Sequence, residues 1–113
     1  ICLFVSPSGG PLEYLVPCVA AATGLPFTID QFMEIGERTW NLERLWNLRA
    51  GHSRATDDLP QRLLKTAFKE GPSAGVTVNL DVMLDEYYAA REWTNDGAPT
   101  SEKISELGLD SLI

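Results

Sequence analysis

The side chains that could hold a metal or move a proton are few in this 113-residue sequence, which contains two cysteines and one histidine. Cys2 lies in the apolar run Ile-Cys-Leu-Phe-Val, and a thiolate holds an iron centre only together with partner ligands. The neighbouring residues offer no such partners, and free cysteine is among the most buried residue types. The residues alone therefore favour Cys2 as a small buried hydrophobe. Cys18, among valine and alanine, is likewise expected to fill the core.

His52 is the only histidine and therefore the first candidate for a general base. Such a base needs an orienting carboxylate, and Asp57 and Asp58 are close in sequence. His52 follows Gly51 at the predicted end of a helix, however, where a solvated or capping histidine is commoner. No Ser-His-Asp or Cys-His constellation is evident, so the sequence assigns no catalytic residue.

Several charged side chains fall on predicted helices. Asp81 and Asp85 share a helix face and could hold a cation. No third oxygen ligand accompanies them, and acids near a helix N-terminus are favoured by the helix dipole, so the dipole interpretation is preferred. Five arginines are expected to pair with local carboxylates rather than to cradle a phosphate: Arg38, Arg44, Arg49, Arg54 and Arg62.

The charge balance limits the function classes. Sixteen acids against nine bases give a formal net charge of -7, which disfavours nucleic acid and anionic membrane surfaces as partners. No apolar run approaches the roughly 20 residues that span a bilayer. Two cysteines form no disulfide framework, so a reducing cytoplasm is the expected location. The chain opens on an apolar stretch without Met, which favours a piece of a longer polypeptide.

The turn and cap residues predict a mainly α fold, with one helical domain over 1–113 and an apolar opening segment and loop over 1–10. The predicted helices cover about 11–23, with a kink or break at Pro17, then 29–49, a short piece in 59–66, 80–92, and a last helix that ends at Gly108. Thr28 and Gln31 form a capping box before the long helix. Asn79 and Thr100 are the predicted caps of the last two long helices, and 76–78 is a candidate extended run.

The long predicted helix is apolar on more than one side. One face carries Ile29, Phe32, Met33, Gly36 and Trp40, and other faces carry Leu42, Leu45, Trp46 and Leu48. A helix with apolar residues around its circumference is usually enclosed by other elements. This surface is more than so small a domain is expected to bury.

A colinear series of motifs resembles the aldehyde ferredoxin oxidoreductase family. Residues 36–54 read GERTWNLERLWNLRAGHSR, similar to that family's G-E-R-x-x-N-L-x-R-x-x-N-x-R-x-G-F-S-R, with His52 in place of the usual aromatic Phe. The resemblance continues through DDLPQRL at 57–63, EGP at 70–72, LDVMLDEYY at 80–88, REW at 91–93, DG at 96–97, PTSEK at 99–103 and LGL at 107–109.

The resemblance implies a multihelical C-terminal domain of a tungsten-bis-pterin enzyme that oxidises aldehydes to carboxylates and passes electrons through a [4Fe-4S] cluster to ferredoxin. Ile1-Cys2 is similar to the end of the family's D-x-x-G-[IL]-C motif, so the resemblance makes Cys2 the last of four cluster ligands. The other ligands and the pterin-binding residues would lie upstream, and the chain alone is expected to be inactive and to bind no cofactor. Homo-oligomerisation stays open.

The alternative is a non-enzymatic helical interaction module. The apolar surface around Trp40, Leu45 and Trp46 favours it, because such a surface could face a partner chain.

Overall fold

The computed structural model describes residues 11–112 and shows a mainly α-helical chain, which confirms the predicted fold class. The α-helices are α1 (Leu12–Thr23), α2 (Ile29–Arg49), α3 (Gln61–Lys65), α4 (Leu80–Ala90) and α5 (Ser101–Glu106), with 3-10 helices at Arg54–Thr56 and Asp110–Leu112. Within the described part of the chain no strand forms, and extended pairing is restricted to the isolated bridges Phe68–Ala74 and Trp93–Pro99. The candidate extended run at 76–78 therefore contributes no strand. The predicted opening segment 1–10 lies outside the described residues.

The chain divides after Trp40 into two compact units. The expectation of one domain over 1–113 stays a prediction. Residues 11–40 belong to the first unit, in which α1 continues through Pro17 without a break. Gly24 ends α1 in the left-handed conformation, with φ at 73°, and donates its backbone N–H to the carbonyl of Ala20 at 2.9 Å. This is the helix stop that the glycine predicts.

The N-terminus of α2 forms the predicted capping box. The Thr28 hydroxyl oxygen accepts a hydrogen bond from the backbone N–H of Gln31 at 3.1 Å, and the Gln31 side-chain oxygen accepts one from the Thr28 N–H at 3.0 Å. Both N–H groups would otherwise lack an intrahelical partner. At the other end, Gly51 adopts a φ of 93° two residues after Arg49, where α2 ends as predicted.

The second unit, from Asn41 onward, contains a small core of aromatic and aliphatic side chains. Tyr88, Trp93, Leu107 and Leu109 are its buried hydrophobic residues among those described. They come from α4, from the turn after it, and from the segment that follows α5.

The caps and ends of α4 and α5 agree with the predictions in part. Thr100 caps α5, since its hydroxyl accepts a hydrogen bond from the Lys103 N–H at 3.2 Å. Asn79 precedes α4 as expected, but its side chain makes no capping hydrogen bond. The helix ends at Ala90 rather than 92, because Glu92 adopts a left-handed φ of 56° and lets the Trp93 N–H reach the Tyr88 carbonyl at 2.8 Å.

The prediction that Cys18 fills the core is wrong, because Cys18 is exposed in the structure. The buried residue of α1 is Val16, and a residue two positions further along a helix points about 200° away from it. The apolar neighbours of Cys18 in sequence therefore do not place it in the buried face. Within residues 11–112, no helix has the length and apolar character needed to cross a membrane.

Candidate functional site at Arg44

A group of hydrogen-bonded polar side chains in the second unit centres on Arg44 of α2, which is 8% exposed. Its Nη1 donates to Asp57 Oδ1 at 2.9 Å, and its Nη2 donates to Asp57 Oδ2 at 2.6 Å. Its Nε donates to the carbonyl of Gly97 at 2.7 Å. The planar guanidinium matches a carboxylate in this two-bond arrangement. Arg44 thereby joins α2 to the end of the first 3-10 helix and to the turn at Gly97.

Tyr88 of α4 completes the ion pair by donating a short hydrogen bond from its hydroxyl to Asp57 Oδ2. Burial, and next the hydrogen bond to Asp57, raise the pKa of Tyr88 to about 12. The hydrogen bond from Arg44 holds the pKa of Asp57 below its usual range despite partial burial. At neutral pH, Asp57 is thus a carboxylate, Arg44 a cation and Tyr88 a protonated phenol.

Aromatic rings enclose the guanidinium group of Arg44. Its central carbon lies 5.1 Å from the ring centroid of Trp93 and 5.9 Å from that of Tyr88, distances at which a cation is attracted to the face of an aromatic ring. The Trp93 indole N–H donates to the Oδ1 atom of Asn41 at 2.8 Å. Asn41 is fully buried and lies three residues before Arg44, on the same side of α2.

Gly97 is the position at which this cluster tolerates no side chain. Its φ of 79° is left-handed, and a Cβ atom there would lie 2.3 Å from Arg44 Nη2 and 2.9 Å from Tyr88 Cζ. A residue without a side chain lets the backbone carbonyl approach the Arg44 Nε. The turn at 94–97 therefore also positions a hydrogen-bond acceptor for the buried arginine.

Arg54 forms a second, more exposed layer over Tyr88. Its Nη2 lies 2.7 Å from Asp85 Oδ1, and its guanidinium carbon lies 5.3 Å from the Tyr88 ring centroid. The Asp85 side chain is 65% exposed, so this ion pair is a surface contact. Asp85 pairs with an arginine rather than lying in a cation site.

The expectation that the arginines pair with local carboxylates is confirmed for Arg44 and Arg54. For Arg38, Arg49 and Arg62 it stays a prediction. His52 is exposed, and its backbone N–H donates to the Asn47 carbonyl at the end of α2.

These residues are here called the Arg44 cluster: Asn41, Arg44, Asp57, Tyr88, Trp93 and Gly97. Their side chains, and the carbonyl of Gly97, make hydrogen bonds within the group, and the positive charge of Arg44 is balanced by the negative charge of Asp57. Asp57 accepts from Arg44 twice and from Tyr88 once, and the opposite charges lie side by side. Among the described residues, no buried side-chain nitrogen or oxygen lacks a hydrogen-bond partner. A carboxylate so engaged is poorly suited to proton transfer. The Arg44 cluster acts as a structural clamp that joins α2, the first 3-10 helix, α4 and the turn at 94–97.

Cys2, the residue predicted to ligate a metal centre, lies outside the described residues. Residues 11–112 contain no group of three or more His, Cys, Asp and Glu side chains that could hold a metal ion. The Arg44 cluster was not predicted as a unit from the sequence. The signal was nevertheless present, because each of its six residues falls within one of the motif segments 36–54, 57–63, 80–88, 91–93 and 96–97.

The described chain is mainly α-helical, and its second unit contains an arginine-carboxylate pair inside an aromatic enclosure. Residues 1–109 match the family model described as "Aldehyde ferredoxin oxidoreductase, domains 2 & 3". The chain belongs to the aldehyde ferredoxin oxidoreductase family.

Proteins named tungsten-containing aldehyde ferredoxin oxidoreductase are similar to almost the whole chain. The protein of Pyrococcus furiosus is 46% identical over 110 residues, which is 96% of this chain and 18% of that protein. The proteins of Pyrococcus abyssi and Thermococcus kodakarensis are each 44% identical over 114 residues, which is 100% of this chain and 19% of each protein. The chain thus spans less than a fifth of the length of these relatives.

Proposed function

We propose that this chain is the C-terminal part of a longer tungsten-containing oxidoreductase that oxidises aldehydes to carboxylates and passes the electrons to ferredoxin. The observation that carries the proposal is the match of residues 1–109 to the family, together with identities of 42–46% to proteins whose names specify tungsten, an aldehyde and ferredoxin. The chain alone is inactive, because the other cofactor ligands would come from the rest of the polypeptide. The whole protein acts in the cytoplasm.

Cys2 is the residue of this chain that we assign to cofactor binding, as a thiolate ligand of a [4Fe-4S] cluster. The basis is the similarity of Ile1-Cys2 to the end of a family motif. When bound, the tungsten-bis-pterin and the cluster would supply the two-electron oxidation and the path for electrons, as cofactors generally carry such chemistry.

Under this proposal, residues 11–112 give structural support to the enzyme and provide no group that takes part in the reaction. The Arg44 cluster is closed and electrically balanced, so it holds its surroundings in one arrangement without exchanging protons. A rigid support of this kind keeps the segments that it joins in a fixed position. We therefore assign Arg44, Asp57 and Tyr88 a structural role in the enzyme.

The test uses the full-length protein that contains this chain, purified without oxygen from cells grown with tungstate. We expect aldehyde-dependent reduction of ferredoxin, with one carboxylate formed for every two electrons transferred. A reaction without aldehyde serves as the control. Protein that contains tungsten and iron but oxidises neither aliphatic nor aromatic aldehydes would show that the proposed activity is wrong.

A non-enzymatic interaction module is the second candidate function. It is favoured by the exposure of large apolar side chains, of which Trp46, at 71% exposed, is the clearest case. Under this alternative, the full-length protein would contain neither tungsten nor iron and would bind a separate protein. Elemental analysis of the purified protein distinguishes the two functions before any assay of activity.

A further inference from the structure

An apolar surface of the second unit has no cover within the described chain. It consists of Leu42, Leu45, Trp46 and Arg49 of α2 and of Leu112 in the last 3-10 helix, and it is here called the Trp46 face. Trp46 is 71% exposed and Leu112 is 52% exposed. An indole ring buries a large apolar area in a contact and is enriched at interfaces, so exposure of this ring on an otherwise ordered helix indicates a binding surface.

The shape of the Trp46 face suits the packing of another helix. Two hollows flank the indole ring: one of about 460 Å³ is lined by Leu42, Glu43, Trp46 and Asn47. The other, of about 160 Å³, is lined by Leu42, Leu45, Trp46, Arg49 and Leu112. Leu42 and Trp46 lie four residues apart and form a ridge between the hollows. Helices pack by placing such a ridge between the side-chain rows of the partner.

The Arg44 cluster anchors α2 on the side opposite the Trp46 face. Asn41 is fully buried and Arg44 is 8% exposed, so the side of α2 opposite Trp46 is anchored by hydrogen bonds to Trp93, Asp57 and Gly97. A surface fixed in this way loses little conformational freedom when it is covered. The clamp therefore preorganises the exposed ridge.

We infer that the Trp46 face docks against an apolar helical surface contributed by the part of the same polypeptide that lies outside residues 1–113. The relatives that cover the whole chain are more than five times as long as their matched segments, so ample chain is present to cover this face. A second copy of the chain is the less favourable occupant, because each copy carries a net charge of -7 and like net charges repel. The inference rests on the proposed place of the chain in a longer protein and not on aldehyde chemistry.

Photo-cross-linking of the full-length protein tests this docking. Trp46 is replaced by p-benzoylphenylalanine, an apolar aromatic residue of similar bulk, and exposed Glu102 on α5 receives the same residue as a control. We expect irradiation to join position 46 to a peptide from outside residues 1–113, with at least a ten-fold higher yield than at position 102. Protein mixed from 14N-labelled and 15N-labelled copies distinguishes links within one polypeptide from links between copies.

Three outcomes would overturn the inference: a link from position 46 to residues 1–113, a link that pairs 14N with 15N peptides, or a yield no higher than at position 102. If the variant at position 46 does not fold, Leu112 on the same face carries the probe with the same expectations. The cross-link is read without turnover. A folded protein that cross-links as expected but oxidises no aldehyde would therefore contradict the proposed function alone.

Discussion

Arg44 and Asp57, thirteen residues apart in the chain, form a two-bond ion pair in which both Nη atoms of the arginine meet the two carboxylate oxygens at 2.9 and 2.6 Å. The arginine of the pair is largely withdrawn from solvent, its Nε also donates to the Gly97 carbonyl, and the Tyr88 hydroxyl also donates to Asp57. The stability of the second unit should therefore depend on this pair far more than on any surface ion pair.

Replacement of Arg44 by leucine should lower the free energy of unfolding by about 3 kcal/mol, because it leaves Asp57 charged and deprived of its partner. Urea unfolding of the chain, followed by circular dichroism, measures the change. The matched control is Asp85→Asn, which removes the exposed partner of Arg54 and should cost less than about 1 kcal/mol. Equal losses in the two variants would show that Arg44 is not the centre of the clamp.

Gly97→Ala should destabilise the chain by roughly 3 kcal/mol. One part, about 1 kcal/mol, is the cost of a left-handed conformation for a residue with a side chain. The larger part comes from a Cβ atom placed 2.3 Å from Arg44 Nη2, which forces the guanidinium off Asp57. Gly75→Ala isolates the first part, because Gly75 has a similar φ of 83° and nothing within 4 Å of its Cβ position. A Gly97→Ala loss as small as that of Gly75→Ala would argue against close packing around Arg44.

The fall in the free energy of unfolding at acidic pH should depend on Asp57. Its pKa is lowered in the folded chain by the hydrogen bonds from Arg44, so its contribution is present above about pH 4 and is lost as the pH falls through the folded value. The free energy of unfolding of the wild-type chain should fall more steeply below pH 4 than that of Asp57→Asn. Asp58→Asn, at the exposed neighbouring residue, should keep the wild-type slope. A slope unchanged in Asp57→Asn would contradict the assignment.

The fall in the free energy of unfolding at alkaline pH should depend on Tyr88. Burial raises its pKa to about 12, so the unfolded chain releases this proton first, near pH 10, and stability falls as the pH rises from 10 to 12. The loss should reach about 3 kcal/mol, since one pKa unit corresponds to about 1.4 kcal/mol. Tyr88→Phe should remove this slope, whereas exposed Tyr14→Phe should retain it. A Tyr88→Phe chain with the wild-type slope would show that Tyr88 is not held in its protonated form.

Local chemistry was sufficient to predict most of the helix ends. The capping box at Thr28 and Gln31, the stop at Gly24 and the cap at Thr100 each depend on contacts within a few residues. Such contacts are visible in a linear sequence because the partners are neighbours. The predicted end of α4 at 92 lies two residues beyond the observed end at Ala90. The left-handed turn occurs at Glu92, and glutamate is not a residue type that favours this conformation.

The Arg44 cluster could not be predicted from local rules, because its hydrogen bonds join residues 13 to 53 positions apart. Arginine and aspartate in a polar sequence are usually solvated, and only the folded chain shows that this pair is enclosed by Tyr88 and Trp93. The exposure of Cys18 does not follow from its apolar neighbours in sequence, because those neighbours lie on different sides of α1.

The proposed role of Cys2 as an iron ligand of a [4Fe-4S] cluster is tested most directly by electron paramagnetic resonance of the full-length protein. Dithionite-reduced Cys2→Ala protein should lose the signal of a reduced [4Fe-4S] cluster and about four iron atoms per polypeptide. Cys18→Ala, which changes the exposed cysteine of α1, should retain both. A Cys2→Ala protein with the full iron content and an unchanged cluster signal would contradict the account.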